Sequence, residues 1–189
     1  MKTKVLLSLV VLLSFVACQK AAQIIPNINP GTPTKPTPPV VVTVKPDTIP
    51  DKASFKLQLS KDNINTDEIV FVFKTEAKTA YDSGEDALHF MGNGQVNLAS
   101  ISSDGRDLAI NDLPYTPGMS IGLDFSTKTD GTYSLAVSSE SNIPASIHVW
   151  LKDTYLKDSL EVRTRSYSFN VTKSDANSFG NNRFQLILR

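Results

Sequence analysis

Residues 120–138 read Ser120-Ile121-Gly122-Leu123-Asp124-Phe125-Ser126-Thr127-Lys128-Thr129-Asp130-Gly131-Thr132-Tyr133-Ser134-Leu135-Ala136-Val137-Ser138. Ile121, Leu123 and Phe125 alternate with Ser120, Gly122 and Asp124. After Asp130-Gly131, a turn signal, Tyr133, Leu135 and Val137 alternate with Ser134, Ala136 and Ser138. Alternation of period two is the signature of a strand with one face buried. The pattern repeats outward in both directions: Phe55, Leu57, Leu59; Ile147, Val149, Leu151; Tyr167, Phe169, Val171; Phe184, Leu186, Leu188. Ile69, Phe71 and Phe73 oppose Val70 and Val72, which predicts a strand buried on both faces. Turn clusters separate these runs at Lys61-Asp62-Asn63, Gly92-Asn93-Gly94, Ser103-Asp104-Gly105 and Gly180-Asn181-Asn182. No window of ten residues reads as a helix. The fold class expected is all-β: a single antiparallel β-sandwich, jelly-roll or Ig-like, over residues 53–189.

Upstream of that domain the composition changes. Lys2 and Lys4 precede an apolar run from Val5 to Val16, too short to span a bilayer and of the length of a signal-peptide core. Ser14-Phe15-Val16-Ala17-Cys18 follows, and Cys18 is the only cysteine in the chain. A small residue before a lone cysteine looks like a bacterial lipobox, with Phe15 where leucine is usual. The expected division is a lipoprotein signal peptide over 1–17, a lipidated Cys18 with a disordered Pro/Thr-rich linker over 18–52, and the β domain over 53–189. Eight of the 11 prolines lie between Pro26 and Pro50, in a stretch without aromatic residues. Such a segment favours polyproline-type extension and reaches up to roughly 100 Å when fully extended. Within it, Val40-Val41-Val42-Thr43-Val44 is a candidate edge strand. The whole chain has 19 basic and 19 acidic residues. Loss of Lys2 and Lys4 with the signal leaves 17 against 19, a net of −2. That balance argues against a nucleic-acid partner and leaves membrane attachment to Cys18 alone.

Several segments together resemble a known module. They are Ala80-Tyr81-Asp82-Ser83-Gly84-Glu85-Asp86-Ala87, Asp107-Leu108-Ala109-Ile110-Asn111 with Pro114, Gly131-Thr132-Tyr133-Ser134-Leu135, Val149-Trp150-Leu151-Lys152-Asp153, Tyr167-Ser168-Phe169 and Arg183-Phe184-Gln185-Leu186. Their order over residues 66–189 is similar to a β-sandwich module of Bacteroidetes surface proteins, often found ahead of a type IX sorting domain. The expectation here is that no sorting domain follows Arg189. The resemblance implies a Bacteroidetes envelope lipoprotein whose payload is this module, adhesive or structural rather than catalytic. Gln19-Lys20-Ala21-Ala22 lacks the acidic cluster that resembles a surface-export signal, so the expected location is the bacterial outer membrane with its face undecided.

Four groups of residues are candidates for function. Asp82, Glu85 and Asp86 put three carboxylates within five residues around Gly84, part of the oxygen shell a structural Ca²⁺ needs, with Asp104 and Asp107 as further donors. The spacing is not that of an EF-hand, and the same residues serve equally as a turn whose carboxylates bond local amides. Trp150, between His148 and Lys152, falls on the outward phase of its strand and is the candidate ligand face. Tyr115 and Tyr155 are further exposed-aromatic candidates. Asp47-Thr48-Ile49 and Asp158-Ser159-Leu160 match a short pattern that resembles Bacteroidetes O-glycosylation acceptors, giving Thr48 and Ser159. No G-x-S-x-G elbow or Gly-rich phosphate loop appears, and both histidines sit in strand patterns, so no enzyme activity and no required cofactor are expected. Two functions compete: display of a non-catalytic domain for binding or adhesion to glycan or protein, and a structural or assembly subunit of an envelope complex.

Overall fold

The computed structural model describes residues 48–189. The signal segment, Cys18, the linker through Asp47 and the candidate strand at 40–44 lie outside the described residues. Eleven strands follow in chain order: β1 Ala53–Ser60, β2 Thr66–Phe73, β3 Ala87–Leu88, β4 Val96–Ile101, β5 Asp107–Leu113, β6 Ser120–Thr127, β7 Gly131–Ser141, β8 Val149–Asp153, β9 Asp158–Glu161, β10 Tyr167–Val171 and β11 Phe184–Leu188. A single turn of 3-10 helix, Ala176–Ser178, is the one helical element among the described residues. All-β is therefore the class observed, and the turn clusters read from sequence fall between strands, save that Gly131 of Asp130-Gly131 begins β7.

The strands form one continuous sheet in the order β10-β7-β1-β2-β5-β4-β6-β11-β8-β9, with β3 on β5. The sheet is mixed, where only antiparallel pairing was expected, because β2 and β5 run parallel, Val70 beside Ile110 and Phe73 beside Leu113. A parallel pair needs a long crossover, and the chain between Phe73 and Asp107 supplies one that itself carries β3 and β4. Nor do β6 and β7 pair across Asp130-Gly131. β6 joins β4 and β11, while β7 joins β1 and β10. The turn instead carries the chain from one half of the sheet to the other. Gly131 holds φ 144° there, a conformation that a side chain disfavours.

The sheet rolls up so that its two halves enclose one core. The inward phase of β1, Phe55, Leu57 and Leu59, is fully buried, as are Ile69, Phe71, Leu123, Leu135, Leu151 and Leu186. Rings from strands far apart in the sheet meet inside: Phe125 of β6 and Phe169 of β10 at 5.5 Å, and Phe169 and Phe184 of β11 at 4.8 Å. Each such ring contributes about 1.5–3 kcal/mol by leaving water. Val162 helps close the roll, donating from its N–H to Val149 O at 2.8 Å and accepting from Val137 N–H at 3.1 Å. Val70 and Val72 are only half-buried, so β2 is not covered on both faces as its sequence suggested. Their side of the sheet faces outward, flanked by Lys56 of β1 and Ile110 of β5. Residues just before β1 belong to the domain. Ile49 packs on the core, Lys52 N–H bonds Phe73 O at 2.7 Å, and Asp51 accepts from the Thr75 hydroxyl at 2.7 Å.

Candidate functional site

The inward phase of β8 is Val149, Leu151 and Asp153, all buried; Trp150 and Lys152 take the outward phase. Trp150 is half-buried between Glu161 of β9 and Ile187 of β11. It stands between two clefts. One, of roughly 580 Å³, is lined by Trp150, Lys152, Thr154, Lys157, Asp158, Ser159, Ile187 and Arg189. The other, of roughly 500 Å³, holds His148, Glu140, Glu161, Arg163 and Arg165. His148 and Lys152, expected on one ligand face, thus fall on opposite flanks of the indole.

The two flanks differ in charge. On the His148 side, Arg163 makes a two-pronged pair with Glu140, at 2.6 and 2.8 Å. That pair holds the Glu140 carboxyl below its ordinary range. Arg163 also bonds the carbonyls of Ile143, Pro144 and Ile147, which fixes the loop before β8. Glu161 accepts from Arg163 N–H and the Thr164 hydroxyl. These acids are spent on internal partners. On the Lys152 side, none of Lys152, Lys157 and Arg189 has an ion pair among the described residues.

Beneath that cleft lies a buried ion pair. Asp153 and Arg183 are 0% and 1% exposed, with Arg183 Nη2 2.9 Å from Asp153 Oδ2. Asp153 Oδ1 also accepts from Tyr155 N–H at 3.0 Å and Leu156 N–H at 3.1 Å, and Oδ2 accepts from the Tyr167 hydroxyl at 3.2 Å. Burial first, and the Asp153 charge second, push the Tyr167 hydroxyl far above its usual range. Arg183 Nη1 donates to the carbonyls of Asn170 and Ser178, and its guanidinium lies 4.7–5.1 Å from the rings of Phe169, Phe184 and Tyr155. The pair pins the β8–β9 hairpin, and with it Lys157 and Asp158, to the body of the sheet.

The acidic loop is knitted into the protein. Asp82 Oδ2 takes the Lys78 ammonium at 2.7 Å and Oδ1 the Gly84 N–H at 3.0 Å, and Lys78 holds its carboxyl low. Asp86 accepts from Asp82 N–H at 2.7 Å and from Asp112 N–H at 2.8 Å. Glu85 faces Lys74 at 3.5 Å, and Lys74 also pairs with the buried Asp112. Asp104 does meet this loop: its Oδ1 accepts from Tyr81 N–H at 2.9 Å and from the Ser102 hydroxyl at 2.6 Å. Asp107 does not. It lines a small pocket with His89 and Asp124, where burial, and then the Asp107 charge, raise the Asp124 carboxyl. His89 Nε2 sits 3.4 Å from Asp67 Oδ2. Among the described residues no cluster of three His, Cys, Asp or Glu side chains is disposed to hold a metal ion.

The model of a family described as a domain of unknown function, DUF8693, matches residues 44–188. The chain belongs to the DUF8693 family. No curated protein and no solved structure gives a match. The matched span begins a few residues before the first described one and covers every strand of the sheet.

The remaining candidates take varied places on the DUF8693 domain. Thr48 is exposed at the first described position. Ser159 is exposed on β9 rather than in a turn, beside Lys152 and inside the larger Trp150 cleft. Tyr155 is partly exposed, but its hydroxyl donates to Asp175 at 2.8 Å and its ring covers Arg183, a structural use. Tyr115 is not an exposed aromatic. It packs on the core with its ring edge-on to Phe73 at 6.1 Å. The Asp153–Arg183 pair was missed by function-directed reading of the sequence. Its signal was present in Asp153, a carboxylate on the inward phase set by Val149 and Leu151. Among the described residues no helix is long and apolar enough to cross a membrane.

Proposed function

We propose that this protein is an outer-membrane-anchored lipoprotein that displays a non-catalytic domain for binding or adhesion, with the Trp150 face as its ligand surface. The observation that carries the reading is the chain's single tryptophan, held half-buried on an outward strand face between two clefts. An indole so held offers a flat apolar surface with a polar edge, suited to stacking on a sugar ring or anchoring a protein contact. Attachment through Cys18 rests on the lipobox-like sequence, and a Bacteroidetes envelope origin on the resemblance described above. The facing halves of the rolled sheet support the finer reading of the fold as sandwich-like.

The test is a glycan array probed with the full chain in detergent, alongside Trp150→Ala. Binding to at least one glycan that falls tenfold or more in the variant is the expected result. Glycan binding that survives Trp150→Ala unchanged removes the Trp150 face from the proposal. A second reading, an assembly subunit, draws on β9 and β10, which end the strand order and each have one edge without a partner strand among the described residues. Such edges accept an added strand from a partner. Recovery of one stoichiometric envelope protein by crosslinking in intact cells, with no glycan bound, would favour it.

A further inference from the structure

The two flanks of Trp150 are not equivalent, and the difference specifies a ligand. On the His148 flank, Glu140 and Glu161 are matched by Arg163 and Arg165. The opposite flank brings the side chains of Lys152, Lys157 and Arg189 around the indole, against two side-chain carboxylates. One of these, Asp153, is already neutralised by buried Arg183. The other, Asp158, accepts from Ser159 N–H at 2.7 Å. Arg189 is fixed by its backbone, which exchanges two hydrogen bonds with His148, at 2.6 and 3.0 Å. Lys157 is held at φ 56°, a left-handed conformation that favours glycine or asparagine.

Resting on the reading of Trp150 as the ligand face, we infer that the cleft on the Lys152 side binds an anionic saccharide. A sugar ring stacks on the indole while its carboxylate or sulfate groups meet Lys152, Lys157 and Arg189. Ser159 and Asp158 also line the cleft, the hydroxyl able to donate or accept and the carboxylate to accept hydrogen bonds from ring hydroxyls. Pairing these cations with a ligand breaks no existing ion pair among the described residues. The larger apolar wall, Trp150 with Ile187, supplies the non-electrostatic part of the contact.

The experiment uses the full chain in detergent and reads binding by isothermal titration calorimetry, which serves wild type and Trp150→Ala alike. Four polymers serve as probes: polygalacturonate and its methyl ester, and dextran sulfate and dextran. The carboxylated and sulfated arms distinguish the two sources of charge on a saccharide. Binding to at least one anionic member tenfold or more tighter than to its neutral counterpart is expected, weakening as salt rises. Lys152→Gln with Lys157→Gln is expected to lower that affinity tenfold or more while leaving the melting temperature within a few degrees of wild type. Equal binding of charged and neutral members, or affinity unchanged in the double variant, overturns the inference and leaves the Trp150 reading standing. Binding unchanged in Trp150→Ala overturns the reading beneath it. No binding to any of the four polymers overturns the inference alone, because the glycan array tests the Trp150 face separately.

Discussion

Removing the Asp153 carboxylate by Asp153→Ala is expected to be among the most damaging single changes in the domain. The variant leaves Arg183, 1% exposed, as a buried cation with no counter-charge. It also frees the N–H groups of Tyr155 and Leu156 and the hydroxyl of Tyr167, all of which bond Asp153. Breaking a buried ion pair from one side costs about 3–5 kcal/mol, because the surviving charge stays desolvated. For a domain of this size a loss of 1 kcal/mol lowers Tm by roughly 3–4 °C, so the expected drop is on the order of 10–20 °C. Arg183→Met should cost a similar amount, as it leaves Asp153 charged and the carbonyls of Asn170 and Ser178 without their donor. The double variant Asp153→Ala/Arg183→Met removes both charges and should lose less than the sum of the singles, with a coupling of about 2 kcal/mol or more. Urea denaturation of the full chain, followed by far-UV circular dichroism, measures all three. Single variants costing below about 1 kcal/mol, or additive effects, would refute the claim that this pair holds the hairpin under the cleft.

Three further outcomes are expected. Asp124 has its carboxyl raised by burial and by Asp107, so its charge opposes folding above the ordinary aspartate range; Asp124→Asn should raise Tm at pH 7, and the gain should vanish below about pH 3, where both states are protonated. A calorimetric series in which the gain persists in acid would contradict that sign. Because Asp82, Glu85 and Asp86 are each engaged by lysines or backbone N–H groups, Tm in EDTA and in millimolar CaCl₂ should agree within a degree, and a larger calcium shift would identify the acidic loop as a cation site. Cys18→Ser should move the chain from the membrane pellet to the soluble fraction and abolish labelling by radioactive palmitate; a variant that stays in the pellet would remove the lipid anchor from the proposal.

The contrast between what the chain reveals locally and what it conceals follows from range. The phase of each strand is a property of neighbouring residues, so Phe55-Leu57-Leu59 and Tyr133-Leu135-Val137 declare their inward face directly, and the structure buries all of these but Val137, which is partly buried. β4 and β5 are harder to read because they break the alternation: Ser100, Asn111 and Asp112 are buried, with Asn111 bonded to Ser100 at 3.1 Å and Asp112 paired to Lys74. A polar residue on an inward phase looks like a loop until its partner, tens of residues away, is known. Pairing order is non-local in the same way. Nothing in residues 120–138 says that the strands on either side of Asp130-Gly131 belong to different halves of the sheet. The Trp150 site combines both situations. The outward phase of Trp150 is legible from Val149 and Leu151, whereas its charged flank is assembled from β8, the hairpin at 154–157, β9 and the residue after β11. Lys152 alone was visible as a neighbour in sequence. Lys157 and Arg189 reach the indole only through the antiparallel registers of β8 with β9 and β11, which set Trp150 beside Glu161 and Ile187. Specificity at such a face is a property of the registry of three strands, and a one-residue slip of β9 or β11 would reverse the side each of their residues presents. The buried Asp153–Arg183 pair, which ties β8 to the residue preceding β11, is positioned to forbid that slip. The residue that looks least functional by exposure therefore fixes the arrangement on which the recognition proposed at Trp150 depends.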